Sequence, residues 1–318
     1  MSTNLDTRKG CAAIYQAGRE RFNLKADEPM HRHTSFRVGG KADLYAQPEN
    51  LERLRELLQL VAGKGLPLTI IGGGTNLLVM DSGISGVVLS LAGIKEDVGL
   101  VTEGGDQVHL TAPAGMPISR VARTAVNQGL GGFELAAGIP GSVGGAVAMN
   151  AGTSSGAVSD LLESVQVVGP DGSVQRAERK EIAFAHRTAL LPREKIHGHG
   201  LIIVSASFVL EKGDRELIQD QWKALLDQRR KTQPCSRPTA GCFFKNPPGD
   251  RTAGQLIDLA GFKGTRINDA MVSEQHANFI LNMGEARAED ILRLKKKIVE
   301  KVFDLFSIHL DTEVKIVS

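Results

Sequence analysis

The chain is poor in cysteine, has no long apolar run and carries no block of one charge. Cys11, Cys235 and Cys242 are its only three cysteines. They are odd in number and irregularly spaced, which excludes a disulfide framework, and without a Cys-x-x-Cys pair they offer no zinc site. A reducing compartment is expected. No stretch approaches the ~18 consecutive apolar residues of a membrane span. Residues 1–25 are polar and interrupted by charge, without the apolar centre of a signal peptide. A cytoplasmic protein away from membranes follows as the expectation. The longest basic run is Lys295-Lys296-Lys297, in a chain of net charge +2, so electrostatics favour neither nucleic acid nor a lipid surface. Internal repeats and low-complexity linkers are absent too.

What the chain has instead is length, apolar residues and glycine. At 318 residues, 42% hydrophobic, it can build two or three cores. Its 36 glycines exceed the usual ~7% of residues, so much of the backbone must turn tightly or approach a ligand closely. Leu51, Leu54, Leu57, Leu58 and Val61 recur at helical spacing after Pro48 and Asn50, with Gly63 and Gly65 ending the helix. A strand over residues 69–71 and another over 87–91 complete a small α/β region. From about Asp97 short strands take over, at 108–112, 165–168 and 201–210, with a helix carrying Ile118, Val121, Ala122, Ala125 and Val126 that Gly129 closes. Near Gly213 a third region begins. Asp214 can cap a helix bearing Leu217, Ile218, Trp222, Leu225 and Leu226; residues 253–260 make a short helix stopped by Gly261; residues 277–282 read as a strand; and Ile291, Leu294, Ile298, Val302 and Leu305 line one face of a long helix.

Two glycine-rich loops stand out, Gly72-Gly73-Gly74-Thr75-Asn76 after a strand and Gly138-Ile139-Pro140-Gly141-Ser142-Val143-Gly144-Gly145. Each could be a plain turn or a site of close packing; together they could hold a diphosphate from two sides through backbone N–H groups. Neither is a dinucleotide fingerprint, because GxGxxG leading into a helix with a later acidic residue is missing. In Ala240-Gly241-Cys242-Phe243-Phe244-Lys245-Asn246-Pro247, one thiol lies between a glycine and two bulky apolar residues. Cys242 is either a buried small hydrophobe or a proton donor facing a bound anion. Lys245 and Asn246 could be turn residues, Arg187 a surface cation and Glu313 a solvated position of an edge strand. His31 and His33, like His197 and His199, form an HxH pair without an evident third ligand, which favours solvated histidines over metal ligands.

Five segments, in this order, resemble the MurB family, the UDP-N-acetylenolpyruvoylglucosamine reductases. They are Thr34-Ser35-Phe36-Arg37-Val38-Gly39-Gly40, the Gly72 loop through Val79, Ala137 through Gly145, the Cys242 loop, and Ser273-Glu274-Gln275-His276-Ala277-Asn278-Phe279-Ile280. The resemblance covers residues 30–318. It implies an α+β protein: a two-subdomain FAD-binding module of the PCMH type (30–96 and 97–212), a C-terminal α/β substrate-binding domain (213–310) and a terminal segment (311–318) returning to the active site. Residues 1–29 stay outside it, as an extension expected to fray.

By that resemblance, Arg37, Gly72, Gly73, Gly74, Thr75, Asn76, Gly138, Ile139, Pro140, Gly141, Ser142, Gly144 and Gly145 hold FAD noncovalently, and NADPH is the hydride donor. The implied substrate is UDP-N-acetylglucosamine enolpyruvate, which is reduced to UDP-N-acetylmuramate for peptidoglycan synthesis. The reduced flavin delivers hydride to the terminal methylene carbon. Arg187 and Glu313 polarise and stabilise the enolate-like intermediate, and Cys242 protonates it. Lys245, Asn246 and His276 are implied to touch the substrate. No metal is implied, and a monomer is favoured. Two positions depart from the common family pattern: Cys242 stands where many members carry serine, and His186 stands before Arg187 where tyrosine is common. A thiol, with its reference pKa of ~8.5, is the stronger acid and stays mostly protonated at neutral pH, so proton donation survives the exchange. Other readings are a flavin oxidase on the same cofactor fold, which would consume oxygen and ignore NADPH, and a colourless nucleotide-sugar binding protein. A cysteine hydrolase lacks a local motif pairing Cys242 with a histidine.

Overall fold

The computed structural model describes residues 2–102, 105–153, 156–185, 188–191, 200–234 and 236–318. Two compact units with separate apolar cores make up this mixed α and β chain. The first combines Met1–Ala26, Leu44–Gly73 and Gly86–Gln228; the second combines Asp27–Asp43, Gly74–Ser85 and Arg229–Ser318.

The first unit is organised by an antiparallel sheet. Its strands run in the order Val174–Glu178, Leu162–Val168, Ile202–Lys212, Gln107–Pro113, Gly99–Thr102. Period-2 alternation in the longest strand explains its place: Val204, Ala206, Phe208 and Leu210 are buried while Ser205, Ser207 and Val209 are only partly so. Phe208 meets Phe133 edge to face, with ring centroids 5.0 Å apart. The Ile118–Asn127 helix buries Ile118, Val121, Ala122, Ala125 and Val126, the 3.6-period stripe of the sequence, and Gly129 beyond its end has φ +69°. Asn50 caps the Leu51–Gly63 helix by accepting from the Arg53 N–H at 2.9 Å. A parallel pair, Leu68–Ile71 beside Ile84–Ser90, then delivers the chain to Gly72.

Residues 1–29 depart from the frayed segment expected of them. Ser2–Gly18 is a helix and Leu24–Pro29 a strand. Cys11 and Ile14 are buried in the first unit's core, and at Gly10 an added Cβ would lie 2.6 Å from the Leu66 side chain. An apolar stripe only this narrow, among charged neighbours, is a weak periodic signal. The surface it packs against is what makes it a helix.

In the second unit a three-stranded antiparallel sheet, Arg266–Ile267, Ala270–Val272 and Ile280–Asn282, accompanies the Ala253–Leu259 and Ala288–Phe306 helices. Of the expected 277–282 strand, Ile280–Asn282 joins the sheet, Phe279 makes only an isolated bridge to Cys242, and 277–278 lie in a turn closed by Phe279 N–H on the His276 carbonyl at 2.9 Å. The long helix buries Ile291, Leu294, Ile298 and Val302, but Leu305, expected on the same face, is 49% exposed in its last turn. Asp81 receives the N–H groups of Ala288 and Glu289, both at 3.1 Å, and so closes that helix's N-terminus from outside the helix. Replacing Asp81 by Ala is expected to lower stability by about 1 kcal/mol, the usual value of a helix cap. Urea unfolding followed by circular dichroism measures the change, and an unaltered midpoint would show that water replaces the carboxylate without loss.

Candidate active site

Within the first unit the two glycine loops come into contact. A Cβ on Gly73 would stand 2.8 Å from Gly141 Cα and 3.4 Å from the Ser142 nitrogen, while one on Gly72 would collide with Ser142 Oγ. Side chains at 72 and 73 would therefore force the loops apart. The second loop is pinned from behind: Gly144 N–H donates to the Ala114 carbonyl, Val143 N–H to that of Met116, and Ser142 Oγ accepts from Gly145 N–H at 3.3 Å. Gly138 and Gly141 occupy φ +68° and +109°, reached without strain only by glycine. The N–H groups of Gly73, Gly138, Gly141 and Ser142 donate to no acceptor among the described residues. Exposed at Gly72, Gly73 and Gly138, the pair of loops is lined by unspent donors and open to solvent. That suits the phosphate oxygens of a large anionic cofactor.

Gly74, Thr75 and Asn76 belong to the second unit. Gly74, at φ +63°, presses so closely on the His33 carbonyl that no Cβ fits there, and its own carbonyl accepts from Ser35 N–H at 3.0 Å. Arg37, predicted to contact the cofactor, is exposed and adopts the left-handed φ of +54°. Buried Asn282 holds this turn, its amide donating to the Phe36 carbonyl at 3.1 Å and to that of Arg37 at 3.4 Å.

Cys242 lies at the start of a short extended stretch built into the second unit from both sides. On one side it forms an isolated bridge with Phe279, and Phe243 N–H donates to the Asn278 carbonyl at 2.7 Å. On the other, Phe244 bridges Thr312, Glu313 N–H donates to the Phe243 carbonyl at 2.9 Å, and Lys245 N–H reaches the Asp311 carbonyl at 2.8 Å. Cys242 and Glu313, separated by 71 positions of sequence, are thus carried on hydrogen-bonded neighbouring segments. Cys242 is partly exposed, not the fully buried hydrophobe of the alternative reading, and Glu313 is partly buried. The terminal strand begins only at Lys315, pairing in parallel with Leu77–Val79, so Glu313 precedes it. Asn76 supports that segment: its side-chain amide donates to the Glu313 carbonyl at 3.2 Å and its own carbonyl accepts Lys315 N–H at 3.0 Å.

The proposed substrate contacts are held locally. Asn246 Oδ1 accepts from Ala253 N–H at 3.0 Å, which ties it to the start of a helix, and Lys245 is partly buried. His276 lies edge-on to the Phe279 ring with centroids 4.9 Å apart, and its Nδ1 accepts from Asn278 N–H at 3.3 Å. Burial holds His276 below its ordinary pKa of 6.5, and the Lys263 charge adds to this against an opposing backbone hydrogen bond. His33, of the first HxH pair, contacts Glu28 at 2.8 Å. No group of three or more His, Cys, Asp or Glu among the described residues could hold a metal. Arg187, His186, Cys235, His197 and His199 lie outside the described residues.

Two residues that hold segments of this site escape a reading by residue type: Asn278 and Asn282. Asn278 and Asn282 are buried amides inside the apolar stretch 277–282. A polar side chain interrupting such a stretch is the one signal that could have marked them.

Residues 233–317 match the family model described as UDP-N-acetylenolpyruvoylglucosamine reductase, C-terminal domain, and residues 42–178 match an FAD binding domain. The chain is 44% identical over 290 residues to a UDP-N-acetylenolpyruvoylglucosamine reductase of Heliobacterium modesticaldum, covering 91% of this chain and 89% of that protein. To the reductase of the same name from Desulfosudis oleivorans it is 39% identical, covering 93% and 95%. The crystal structure of the Thermus caldophilus enzyme superposes with a TM-score of 0.77 at 35% identity, covering 94% of this chain and 99% of the other.

Two outcomes follow from this geometry. Gly73→Ala is expected to spread the loops and leave the purified protein with less bound FAD, read from the visible absorbance per polypeptide. Full flavin content would show that the close approach does not serve the cofactor. His276 takes up a proton more readily once unfolding exposes it, so between its lowered folded pKa and 6.5 the unfolded state binds more protons. Stability therefore falls as pH drops through that window and levels off above it. His276→Gln should flatten this part of a melting-temperature profile, and an unchanged profile would place the pH dependence elsewhere.

Proposed function

The chain belongs to the UDP-N-acetylenolpyruvoylglucosamine reductase family, and from that premise we propose that it reduces UDP-N-acetylglucosamine enolpyruvate to UDP-N-acetylmuramate with NADPH, in the cytoplasm, for peptidoglycan precursor synthesis. The observation that carries the reading is the built-in adjacency of the Cys242 stretch and the Glu313 segment, joined through the Phe243 carbonyl at 2.9 Å. FAD would be held by Arg37 and the backbone of residues 72–76 and 138–145, and when bound would supply the hydride relay between NADPH and the enolpyruvyl methylene carbon.

The rest of the chemistry falls to side chains. Hydride arriving at the methylene carbon drives negative charge onto the adjacent carbon and its carboxylate. Arg187 and Glu313 polarise that group and stabilise the charge as it grows. Cys242 closes the reaction: its S–H bond breaks as a C–H bond forms at the carbon bearing the carboxylate. A thiol does this at neutral pH because its proton is present and its conjugate base is stable. Lys245, Asn246 and His276 bind the substrate, with His276 kept neutral by the burial that depresses its pKa.

Cys242→Ala should leave flavin bleaching by NADPH intact and slow reoxidation by the enolpyruvyl nucleotide by roughly 10² to 10⁴, the usual value of a general acid. Rapid-mixing absorbance separates the two half-reactions. Arg187→Ala and Glu313→Gln should show the same asymmetry, since charge develops only in the second. Reoxidation at the parent rate in Cys242→Ala would remove the thiol from the reaction, and equal loss in both halves would indicate a damaged fold.

A further inference from the structure

The side chain of Asn278 does the work of a strand. It is 3% exposed, set among Phe244, Ala277 and Ile280, which are exposed by 1%, 4% and 1%. A carboxamide persists in such surroundings only when its donor and acceptor are both engaged. Here they are engaged by a single residue: Asn278 Oδ1 accepts Phe244 N–H at 2.9 Å and Nδ2 donates to the Phe244 carbonyl at 2.8 Å. Cys242 faces Phe279 and Phe243 bonds to Asn278, but the position opposite Phe244 falls within the turn that Phe279 N–H closes on the His276 carbonyl, and among the described residues Phe244 has no backbone hydrogen bond on that side. The amide reproduces the donor and acceptor of the absent peptide.

The consequence reaches Cys242. Six hydrogen bonds tie down the peptide groups just beyond the thiol: Phe243 N–H to Asn278 O, Phe243 O from Glu313 N–H and, at 3.4 Å, from Val314 N–H, Phe244 N–H and O to the Asn278 side chain, and Lys245 N–H to Asp311 O. Three of those six come from Asn278. The same peptides carry the register between the thiol and the Glu313 segment. We propose that Asn278 is a positioning residue for proton donation, its carboxamide fixing the Cys242 stretch against the Glu313 segment; this rests on the reading of Cys242 as the donor. Only a carboxamide of this length can serve. Leucine offers neither bond, and an ionised aspartate accepts at both oxygens and would face the Phe244 carbonyl without a proton to give.

The test uses the FAD-loaded enzyme with Asn278→Leu and Asn278→Asp. Bleaching by NADPH should stay within about twofold of the parent, while reoxidation by the enolpyruvyl nucleotide falls by about 10- to 100-fold, the scale of a misplaced catalytic group. Without its tether the stretch opens more often, so iodoacetamide should alkylate Cys242 faster in Asn278→Leu, as mapped by mass spectrometry, while Cys11, buried in the first unit, stays unmodified as an internal control. In Asn278→Asp, reoxidation should recover as pH falls, because a protonated carboxyl regains the donor for the Phe244 carbonyl; the parent enzyme has no such recovery. Parent-like reoxidation in Asn278→Leu beside a slowed Cys242→Ala overturns the role of Asn278 alone. Equal loss of both half-reactions reduces Asn278 to general structural support and also overturns it. Parent-like reoxidation in Cys242→Ala removes the donor itself, and the proposal with it.

Discussion

The candidate catalytic centre depends on one stretch of backbone finding hydrogen-bond partners on two sides. The Cys242 stretch is too short to be a sheet element by itself. It becomes ordered because the 276–280 turn supplies one edge and the 311–314 segment the other. Peptide groups buried beside Phe243 and Phe244 must be paired, and these aromatic rings, each 1% exposed with centroids 5.2 Å apart, anchor the stretch in the second unit's core. Burial and pairing therefore act together: the rings drive the stretch inward, and the hydrogen bonds determine what lies beside it. Cys242 and Glu313 are brought onto neighbouring segments by main-chain geometry.

A second constraint acts on the cofactor loops. Two glycine segments far apart in sequence approach until backbone touches backbone, and a methyl group on Gly73 would already be too large. Such contact leaves N–H groups without protein acceptors, which costs stability unless something else accepts from them. The match to an FAD binding domain over residues 42–178 spans both loops. The same trade recurs in the second unit. There Arg37 is kept in a left-handed turn by the buried amide of Asn282, so an unfavourable backbone is secured by a polar group that must itself be fully bonded.

Much of the fold was legible where physical signals are local. The Leu51–Gly63 and Ile118–Asn127 helices show the apolar spacing, Asn50 cap and Gly129 stop that sequence periodicity predicts, and Asp214 accepts from Leu217 N–H at 3.2 Å as a cap should. Signals failed where stability comes from the partner surface. The Ser2–Gly18 helix buries little beyond Cys11 and Ile14, and 277–279 look like strand because Phe279 is apolar, although the backbone there turns. At the site, residue types and their order indicated the family and named Cys242 and Glu313. They were silent on Asn278, whose function depends on a hydrogen-bonding partner 34 residues away.

Residue identity and order already carry the chemistry on offer: a thiol before two phenylalanines, two glycine loops and an acid near the C-terminus, in an order that marks one family. Those are properties of residue identity and short-range spacing, and they survive without coordinates. Folding in three dimensions is what makes the glycine loops touch, lays the Glu313 segment along the Cys242 stretch and sets a side-chain amide in place of backbone beside Phe244. Each of these joins segments distant in sequence, and their association is set by burial and hydrogen-bond completion over the whole unit, which no local pattern encodes.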